Sequence, residues 1–272
     1  VIGLMGDKLS AKRLMDEAGV PTLPGIEITQ DTDILAAAKD IGYPVLVKAS
    51  AGGGGRGMRV VETEESLLDA VESAKREAGT SFGDDTVFLE KWLATSRHIE
   101  IQILGDTHGN LVHCYERECS IQRRHQKIIE EAPCPVMTPD LRQAMGEAAL
   151  KAGRAVNYVG AGTVEFLLDR DGRFYFLEMN TRLQVEHPVS ESITGIDLMQ
   201  QQIIIAAGGS LPSTQDEVTF KGHAIELRVN AEDTNDDFRP TPGQLTSFTI
   251  NGDGIRFDTH LQAGDSVPPF YD

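Results

Sequence analysis

Two glutamates on either side of a tight turn have the spacing to hold a divalent cation. Asp171–Gly172 predicts a type I′ hairpin turn, and a hairpin centred there places Glu165 opposite Glu178, with Cβ atoms about 5 Å apart. Facing like charges destabilise a sheet unless a cation bridges them or one is protonated. Asn180 adds a further oxygen ligand. Oxygen ligands of this kind predict Mg²⁺ or Mn²⁺, with substrate phosphates completing the coordination shell.

A glycine-rich loop follows the predicted strand Tyr43–Ser50. Gly52–Gly55 are consecutive glycines, which let backbone N–H groups approach phosphate oxygens closely. The loop also fits the dinucleotide pattern G-x-G-x-x-G, but Met58–Glu62 predicts a strand where that motif requires a helix. We expect a hairpin that folds over a triphosphate, with Lys48 supplying a positive charge. A loop that is merely mobile remains the alternative.

The predicted hairpin is compatible with two alternatives to a metal site. Its register also pairs Leu167 with Phe176, which flank the two glutamates on the same face. The carboxylates can instead splay into solvent as an ordinary exposed pair. A similar separation suits a retaining glycosidase, although a phosphate-binding loop in the same chain argues against that chemistry.

Two further segments concentrate polar side chains. Glu178–Glu186 places Glu, Asn, Arg, Gln and Glu at alternate positions, which in an extended chain all point into one cleft; a surface strand is the alternative. Cys119–Lys127 gathers four basic side chains in an acidic protein. In isolation that run indicates a solvated surface, whereas beside a polyphosphate it would neutralise charge. Arg228, on the predicted strand Ala224–Asn230, is either half of an ion pair or a catalytic cation.

The elements that must position these residues predict a mixed α+β fold. Helices are predicted at Asp7–Gly19, Thr32–Ile41, Thr63–Ala78, Pro139–Val156 and Asp197–Ala207. Strands are predicted at Tyr43–Ser50, Met58–Glu62, Thr86–Leu93, His98–Leu104, Leu111–Gln122 and on both sides of the hairpin Thr163–Asn180. In His98–Leu104, isoleucines alternate with His98, Glu100 and Gln102, so the polar side chains share one face.

The composition excludes several classes of protein. The 42 acidic residues against 25 basic ones give a net charge of −17, which argues against a nucleic-acid partner because phosphate binding needs clustered Lys and Arg. The longest apolar run, Ile203–Ala207, is far shorter than the roughly 20 residues of a membrane span. Val1–Asp7 lacks the features of a signal peptide. Cys114, Cys119 and Cys134 form no C-x-x-C pair, so we expect reduced thiols in a soluble, cytoplasmic protein.

Four segments together resemble the signature motifs of one family. Tyr43–Gly57 and Phe176–His187 look like the two signatures of the carbamoyl-phosphate synthase and biotin carboxylase group. Glu118–Lys127 and His223–Asp233 are similar specifically to biotin carboxylases. The resemblance runs across essentially the whole chain. It implies an α+β architecture of the ATP-grasp fold, in which a small lobe carrying the glycine-loop lid closes nucleotide against a larger antiparallel-sheet lobe.

The resemblance also implies a division of the chain and a role for individual residues. The segments would be an N-terminal helix and linker (1–22), a lid subdomain (23–93), a main subdomain (94–217) and the truncated start of the biotin carboxylase C-terminal domain (218–272). The nucleotide-binding residues would be Lys8, Lys48, Gly53, Gly54, Gly55, Met58, Glu90, Leu93, His98, Gln122, His125 and Leu167. The metal ligands would be Glu165, Glu178 and Asn180. The bicarbonate-binding residues would be Lys127, Arg182, Gln184 and Val185.

The implied chemistry is the carboxylation of biotin by bicarbonate at the expense of ATP. Lys8 and Lys48 would touch the ATP phosphates, and Glu186 would deprotonate bicarbonate for attack on the γ-phosphate, giving carboxyphosphate. Arg228 would stabilise the biotin enolate, and Lys127 and Arg182 would act as catalytic cations. The implied cofactors are ATP and Mg²⁺ or Mn²⁺, with biotin as a carried substrate.

The implied partners are a biotin carboxyl carrier protein or domain and a carboxyltransferase subunit or domain, and the full-length protein would be a homo-oligomer. The final carboxyl acceptor, an acyl-CoA or pyruvate, is not indicated. Because the chain begins at Val1 without methionine and stops in a proline-rich turn, we expect a piece of a longer protein. Another ATP-grasp ligase, such as a carbamoyl-phosphate synthase-like half, and a nucleotide-binding module without turnover remain alternatives.

Overall fold

The computed structural model describes residues 2–51 and 58–268. The chain divides into two units, Val1–Leu227 and Arg228–Asp272. Within the part of the chain that the structure describes, no helix is both long and apolar enough to cross a membrane. The three cysteines are buried and carry no disulfide.

The chain begins with two helices, α1 (Ile2–Gly6) and α2 (Lys8–Glu17). Asp7 caps α2, because its carboxylate accepts a hydrogen bond from the Ser10 backbone N–H at 2.7 Å. The other oxygen of Asp7 accepts from the Ser50 hydroxyl at 2.6 Å, which fixes the start of α2 against the end of a strand in the next sheet. The sequence predicted this helix with nearly the same bounds.

The first sheet has four antiparallel strands in the order β1-β4-β2-β3. Its strands are β1 (Gly25–Glu27), β2 (Val45–Ala49), β3 (Arg59–Val61) and β4 (Val87–Lys91). Two helices, α3 (Ile34–Ile41) and α4 (Leu67–Phe82), contribute Ala38, Val71 and Ala74 to a buried core with Val45 and Val47. A short 3₁₀ turn, Glu64–Ser66, precedes α4 where the sequence predicted a helix beginning at Thr63.

The second sheet has six antiparallel strands in the order β10-β7-β6-β5-β8-β9. Its strands are β5 (Ser96–Gly105), β6 (Leu111–Arg123), β7 (Gln126–Ala132), β8 (Gly160–Asp169), β9 (Phe174–Asn180) and β10 (Ala224–Leu227). Its helices are α5 (Pro139–Ala155), α6 (His187–Thr194) and α7 (Leu198–Ala206). The strand β10 lies in the segment 218–272, which the sequence assigned to a separate domain.

Both faces of the six-stranded sheet are covered. On one face, Ile99, Ile101 and Ile103 pack with residues of α2 and α5. On the other, Leu104 and Val112 pack with residues of α7. The alternation in His98–Leu104 therefore assigned the faces correctly, but the polar face is not solvated, because Glu100 and Gln102 have no exposed surface. Polar side chains at buried strand positions need partners, and these partners belong to the candidate active site.

The hairpin between β8 and β9 differs from the predicted type I′ turn. Asp169 and Arg173 pair across a three-residue loop in which Gly172 has φ +81°, the arrangement of a turn followed by a left-handed glycine. The pairing is thereby one residue out of the expected register, so Leu167 lies opposite Tyr175 rather than Phe176. A bulge between Glu165 and Phe166 restores the register, and Glu165 pairs with Glu178 as predicted.

Replacing Gly172 with alanine is expected to destabilise the protein by about 1–2 kcal/mol, because a Cβ is strained at this positive φ. Gly79 in the interior of α4 supplies the control, since an added Cβ would meet only the Asp85 side chain at an ordinary 3.6 Å. Gly79→Ala should stabilise by about 0.5–1 kcal/mol. Denaturant unfolding measures both changes, and a neutral or stabilising Gly172→Ala would contradict the strained turn.

The second unit, Arg228–Asp272, consists mainly of exposed turns and two short antiparallel strand pairs. β11 (Glu232–Asp233) pairs with β12 (Arg239–Pro240), and β13 (Gly243–Gln244) pairs with β14 (Ser266–Val267). The predicted strand Ala224–Asn230 is too long, since β10 ends at Leu227. Arg228 is half-buried and begins this unit.

Candidate active site

A row of four charged residues crosses the six-stranded sheet. Glu165 on β8 lies directly opposite Glu100 on β5 and Glu178 on β9, and Glu100 lies opposite Arg117 on β6. The pairing of β5 with β8, which are distant in sequence, therefore brings three carboxylates and one guanidinium onto adjacent positions. All four side chains are largely buried. Buried charges of this number require close compensation by cations and hydrogen bonds.

Lys127 on β7 is the centre of this compensation. Its Nζ lies 2.9 Å from the Glu165 carboxylate and 2.8 Å from that of Glu186, and it also contacts Glu100. Burial opposes the charged ammonium, but these three carboxylates outweigh that effect and raise the pKa of Lys127. Lys127 and Glu186, two residues with predicted catalytic roles, are therefore in direct contact.

His98 makes a second cationic contact to the same carboxylates. Its Nε2 lies 2.7 Å from Glu165 and 3.3 Å from Glu100. Burial lowers the pKa of His98, but the two carboxylates more than offset this and raise it to about 10. Gln122, whose amide nitrogen donates to the Cys119 carbonyl, lies 3.2 Å from the other ring nitrogen. An amide N–H can donate to that nitrogen only when the nitrogen carries no proton, so this contact favours a neutral ring, but the two negatively charged carboxylates have the stronger effect.

Glu165, Glu178 and Asn180 form a donor set that suits a divalent cation. Burial, and then the charge of Glu165, raise the pKa of Glu178, so a bound cation would favour its ionised form. The Asn180 amide nitrogen, 2.8 Å from Glu165 and 3.4 Å from Glu178, lies between the carboxylates where a cation would interact with both. The oxygen-rich donor set fits Mg²⁺ once the amide turns its oxygen inward.

A second acidic cluster is less suited to a metal ion. Ligand atoms of His98, Glu100 and Glu165 lie within 4.8 Å of one another. Among the described residues, His98 and Lys127 pair with both carboxylates of this cluster but with only Glu165 of the first donor set, so a divalent cation would have to displace more existing contacts here.

The segment after β9 is not extended, contrary to the prediction that alternate residues of Glu178–Glu186 share one face. The strand ends at Asn180, the chain turns, and Glu186 occupies the N-cap position of α6. Gln184 and Glu186 are nevertheless buried in the site, and the Gln184 amide donates to Glu165 at 3.0 Å. Arg182 and Val185 are exposed, and Arg182 donates to the Leu183 carbonyl at 3.3 Å. Their roles in binding bicarbonate stay predictions.

The basic run Cys119–Lys127 forms the tight turn between β6 and β7, which the sequence did not predict. Arg124 and His125 occupy its two central positions with φ of +50° and +66°. Consecutive left-handed residues are typical of a type I′ turn, which usually contains Asn and Gly. Non-glycine residues held in this conformation are strained and tend to occur at functional sites. The turn exposes His125, whose nucleotide contact stays a prediction.

Two lysines, one on the four-stranded sheet and one on α2, pair with the same buried carboxylate. The buried Glu90 carboxylate accepts from Lys48 at 3.0 Å and from Lys12 of α2 at 2.9 Å. Burial opposes ionisation, but the two lysines lower the pKa of Glu90. Lys8 lies close enough to Lys48 and Glu178 for their charges to affect it, although burial is the main cause of its lowered pKa. The charge of Lys8 is thus close enough to interact with the charges of Lys48 and of the predicted metal ligand Glu178.

The remaining predicted residues are placed less decisively. Met58, Leu93 and Leu167 are half-buried, and Leu167 pairs with His98 across β5 and β8. Gly53, Gly54 and Gly55 lie outside the described residues. Because Glu90 binds two lysines, any contact of its side chain with the nucleotide stays a prediction, as do the nucleotide contacts of Leu93 and Leu167.

Sequence reasoning missed three residues that the structure brings into the site: Lys12, Glu100 and Arg117. Glu100 was placed on the correct polar face but was not recognised as part of the acidic row. Lys12 lies on an ordinary amphipathic helix. Arg117 lies in a strand with other charged residues, and nothing in that pattern indicates that it is fully buried.

Comparisons with known proteins identify relatives over the whole chain. Residues 7–214 match the family described as "Carbamoyl-phosphate synthase L chain, ATP binding domain", and residues 226–272 match "Biotin carboxylase C-terminal domain". The chain is similar to the biotin carboxylase of Nostoc sp., at 54% identity over 274 residues, which cover 100% of this chain and 61% of that protein.

Two solved structures share the fold. One is a biotin carboxylase from Campylobacter jejuni in a β-γ-ATP complex, with 49% identity, a TM-score of 0.92, and coverage of 100% of this chain and 61% of that chain. The other is the biotin carboxylase domain dimer of the Hydrogenobacter thermophilus 2-oxoglutarate carboxylase, in complex with MgADP, ADP and bicarbonate. It has 48% identity, a TM-score of 0.94, and coverage of 100% and 60%. The chain therefore spans about 60% of the length of these relatives.

Proposed function

This chain belongs to the biotin carboxylase family of ATP-grasp proteins, and we propose that it uses ATP and Mg²⁺ to carboxylate biotin with bicarbonate. One member of this family, the Hydrogenobacter thermophilus domain, has a structure in complex with MgADP and bicarbonate. The observation that supports the proposal most is the contact of Lys127 with Glu186 beside the facing pair Glu165 and Glu178. A cation, a base and a metal-binding pair are the groups that this reaction requires.

Glu186 is the proposed general base. Bicarbonate is a poor nucleophile until it loses its proton, and a carboxylate within hydrogen-bonding distance of the bound anion can accept that proton. Lys127 would hold bicarbonate against Glu186 by releasing part of its contact with the three carboxylates. The Lys127 ammonium would then pair with bicarbonate and stabilise the negative charge that the substrate gains when it loses its proton.

Glu165, Glu178 and Asn180 would hold Mg²⁺, which supplies charge neutralisation to the ATP phosphates. Lys8 and Lys48 would add positive charge from the other side of the nucleotide. Deprotonated bicarbonate would attack the γ-phosphate and give carboxyphosphate and ADP. Carboxyphosphate hydrolyses readily, so exclusion of water is part of the requirement. Arg228 is proposed to stabilise the biotin enolate that accepts the carboxyl group. Mn²⁺ would substitute for Mg²⁺ by the same ligand chemistry.

The proposed partners follow from biotin chemistry. Biotin would arrive on a carboxyl carrier protein or domain, and a carboxyltransferase subunit or domain would transfer the carboxyl group onward. We propose that the full-length protein is a homo-oligomer, as in the dimeric structure of the 2-oxoglutarate carboxylase domain. The carboxyltransferase would select the final acceptor, so no particular acceptor is proposed.

Bicarbonate-dependent ADP release in the full-length protein is expected to rise about 10-fold or more when free biotin is added, because biotin then consumes the carboxyphosphate that the phosphoryl transfer produces. A coupled assay for ADP and incorporation of labelled bicarbonate into biotin measure the effect. Stimulation by ammonia in place of biotin would indicate a carbamoyl-phosphate synthase-like ligase. Nucleotide binding without a response to either would indicate a module that lacks turnover.

A further inference from the structure

Arg117 is fully buried and lies at one end of the charged row, where none of the proposed roles uses it. Its guanidinium contacts five side chains from two strands, a loop and a helix. Nε and Nη2 both donate to one oxygen of Glu100, at 3.2 and 3.0 Å. Nη1 donates to Gln102 at 2.7 Å and to Ser190 at 3.1 Å. Nη2 also donates to Thr163 at 3.0 Å and to Gln184 at 3.2 Å.

Stability by itself does not require an arginine at this position. Burying a guanidinium has a large desolvation cost, and well-packed apolar residues often replace buried ion pairs without loss of stability. What an arginine adds is geometry, because its five N–H donors have fixed directions in one plane and it has no acceptor. Each neighbour of Arg117 must therefore turn an oxygen towards it.

This requirement decides the orientation of Gln184. An amide can present either its oxygen or its nitrogen to a neighbour, but only the oxygen can face a guanidinium. With its oxygen on Arg117, Gln184 directs its nitrogen to Glu165, where it donates at 3.0 Å. A reversed amide would place one oxygen against the Glu165 carboxylate and a nitrogen against Arg117, which is unfavourable at both ends.

Arg117 also orients Glu100. Two donors of the guanidinium hold the same carboxylate oxygen, so the other oxygen remains for Lys127 and His98. Lys127 in turn contacts Glu186. A chain of direct contacts therefore runs from Arg117 through Glu100 and Lys127 to the proposed base.

We propose that Arg117 is a positioning residue that sets the bicarbonate-binding arrangement of Gln184 and Lys127 from the end of the charged row. The inference rests on the proposed function, in which Lys127 binds bicarbonate, and on the predicted binding of bicarbonate by Gln184. Arg117 donates directly to Gln184, whereas it reaches His98, a predicted nucleotide-binding residue, only through Glu100. Arg117 should therefore affect bicarbonate more than ATP.

Arg117→Lys keeps the positive charge and removes the planar fork. In the full-length protein we expect KM for bicarbonate to rise about 10- to 100-fold, the range typical when groups that orient the ligands of a site are lost. KM for ATP should stay within about 2-fold, because none of the described residues predicted to bind nucleotide contacts Arg117 directly. The matched control is Arg142→Lys, which breaks a comparable two-point contact with Glu116 outside the site. That control should leave KM for bicarbonate unchanged.

A merely structural role gives a different result. If Arg117→Lys lowers kcat and raises both KM values in parallel with a loss of folded protein, or leaves KM for bicarbonate unaltered, the proposal is overturned. Should Arg117→Lys fail to fold, Ser190→Ala removes one acceptor of Nη1 with little change of volume. We expect that variant to raise KM for bicarbonate about 2- to 5-fold, since one hydrogen bond to a charged group is lost. An unchanged KM would overturn the proposal.

A readout independent of turnover separates this inference from the proposed function. A crystal structure of Arg117→Lys should show the Gln184 amide turned away from Glu165 or Lys127 displaced from Glu186. If both side chains keep their positions, Arg117 does not position them, whatever reaction the protein catalyses. Absence of biotin-dependent ADP release in the unmodified protein would instead contradict the proposed function alone.

Discussion

Glu186→Gln is expected to abolish biotin-dependent ADP release and carboxylation of biotin, with a loss of about 10²- to 10⁴-fold, the usual contribution of a general base. The glutamine keeps the size of the side chain, and its amide oxygen can still accept from Lys127, which lies 2.8 Å from Glu186. It cannot accept the proton of bicarbonate. Steady-state kinetics in the full-length protein measure the loss.

Binding of MgATP provides the internal control for Glu186→Gln. The Kd for MgATP should remain within about 3-fold, because Glu186 is proposed to contact bicarbonate and other residues are proposed to bind the nucleotide. Glu147→Gln, an exposed position on α5, makes the same change of charge and should leave turnover unaltered. If Glu186→Gln carboxylates biotin at nearly the unmodified rate, the assignment of the base is wrong.

Glu178→Gln should have opposite effects on stability and on the requirement for metal. Burial and the charge of Glu165 raise the pKa of Glu178, so its ionised form is unfavourable when no cation is bound. A neutral glutamine removes that repulsion and is expected to stabilise the metal-free protein by up to about 1 kcal/mol. It also removes one ligand, so the Mg²⁺ concentration for half-maximal activity should rise about 10-fold or more.

Glu178→Asp distinguishes repulsion from simple loss of packing. It keeps the negative charge and should not stabilise the metal-free protein, although its shorter side chain also weakens metal binding. Thermal unfolding in the presence of a chelator, followed by a Mg²⁺ titration of activity, measures both effects. A Glu178→Gln variant that is less stable without metal, or that needs no more Mg²⁺ than the unmodified protein, would contradict the paired-carboxylate site.

Several features of this site follow from short stretches of sequence. The Asp7 cap of α2, the strand before the glycine loop and the facing of Glu165 and Glu178 all depend on residues within one or two elements. The family motifs then indicated the fold and the reaction to which these local features belong. Even so, the facing glutamates were predicted with the wrong turn, and a bulge compensates for the difference. The error arose because an Asp-Gly pair is compatible with both a two-residue and a three-residue hairpin loop.

Sequence by itself indicated most of the longer helices and strands, which face of β5 is polar, and which two carboxylates face each other, although it missed α1, β1, β7 and α6. Those features depend on backbone periodicity and turn chemistry over short distances. Only the tertiary structure decided that Arg117, Glu100, Lys127 and Glu186 meet, because their contacts depend on the order β7-β6-β5-β8 and on the turn of the chain after Asn180. Strand order and burial result from the packing of the whole sheet against its helices. No local pattern around Arg117 contains that information.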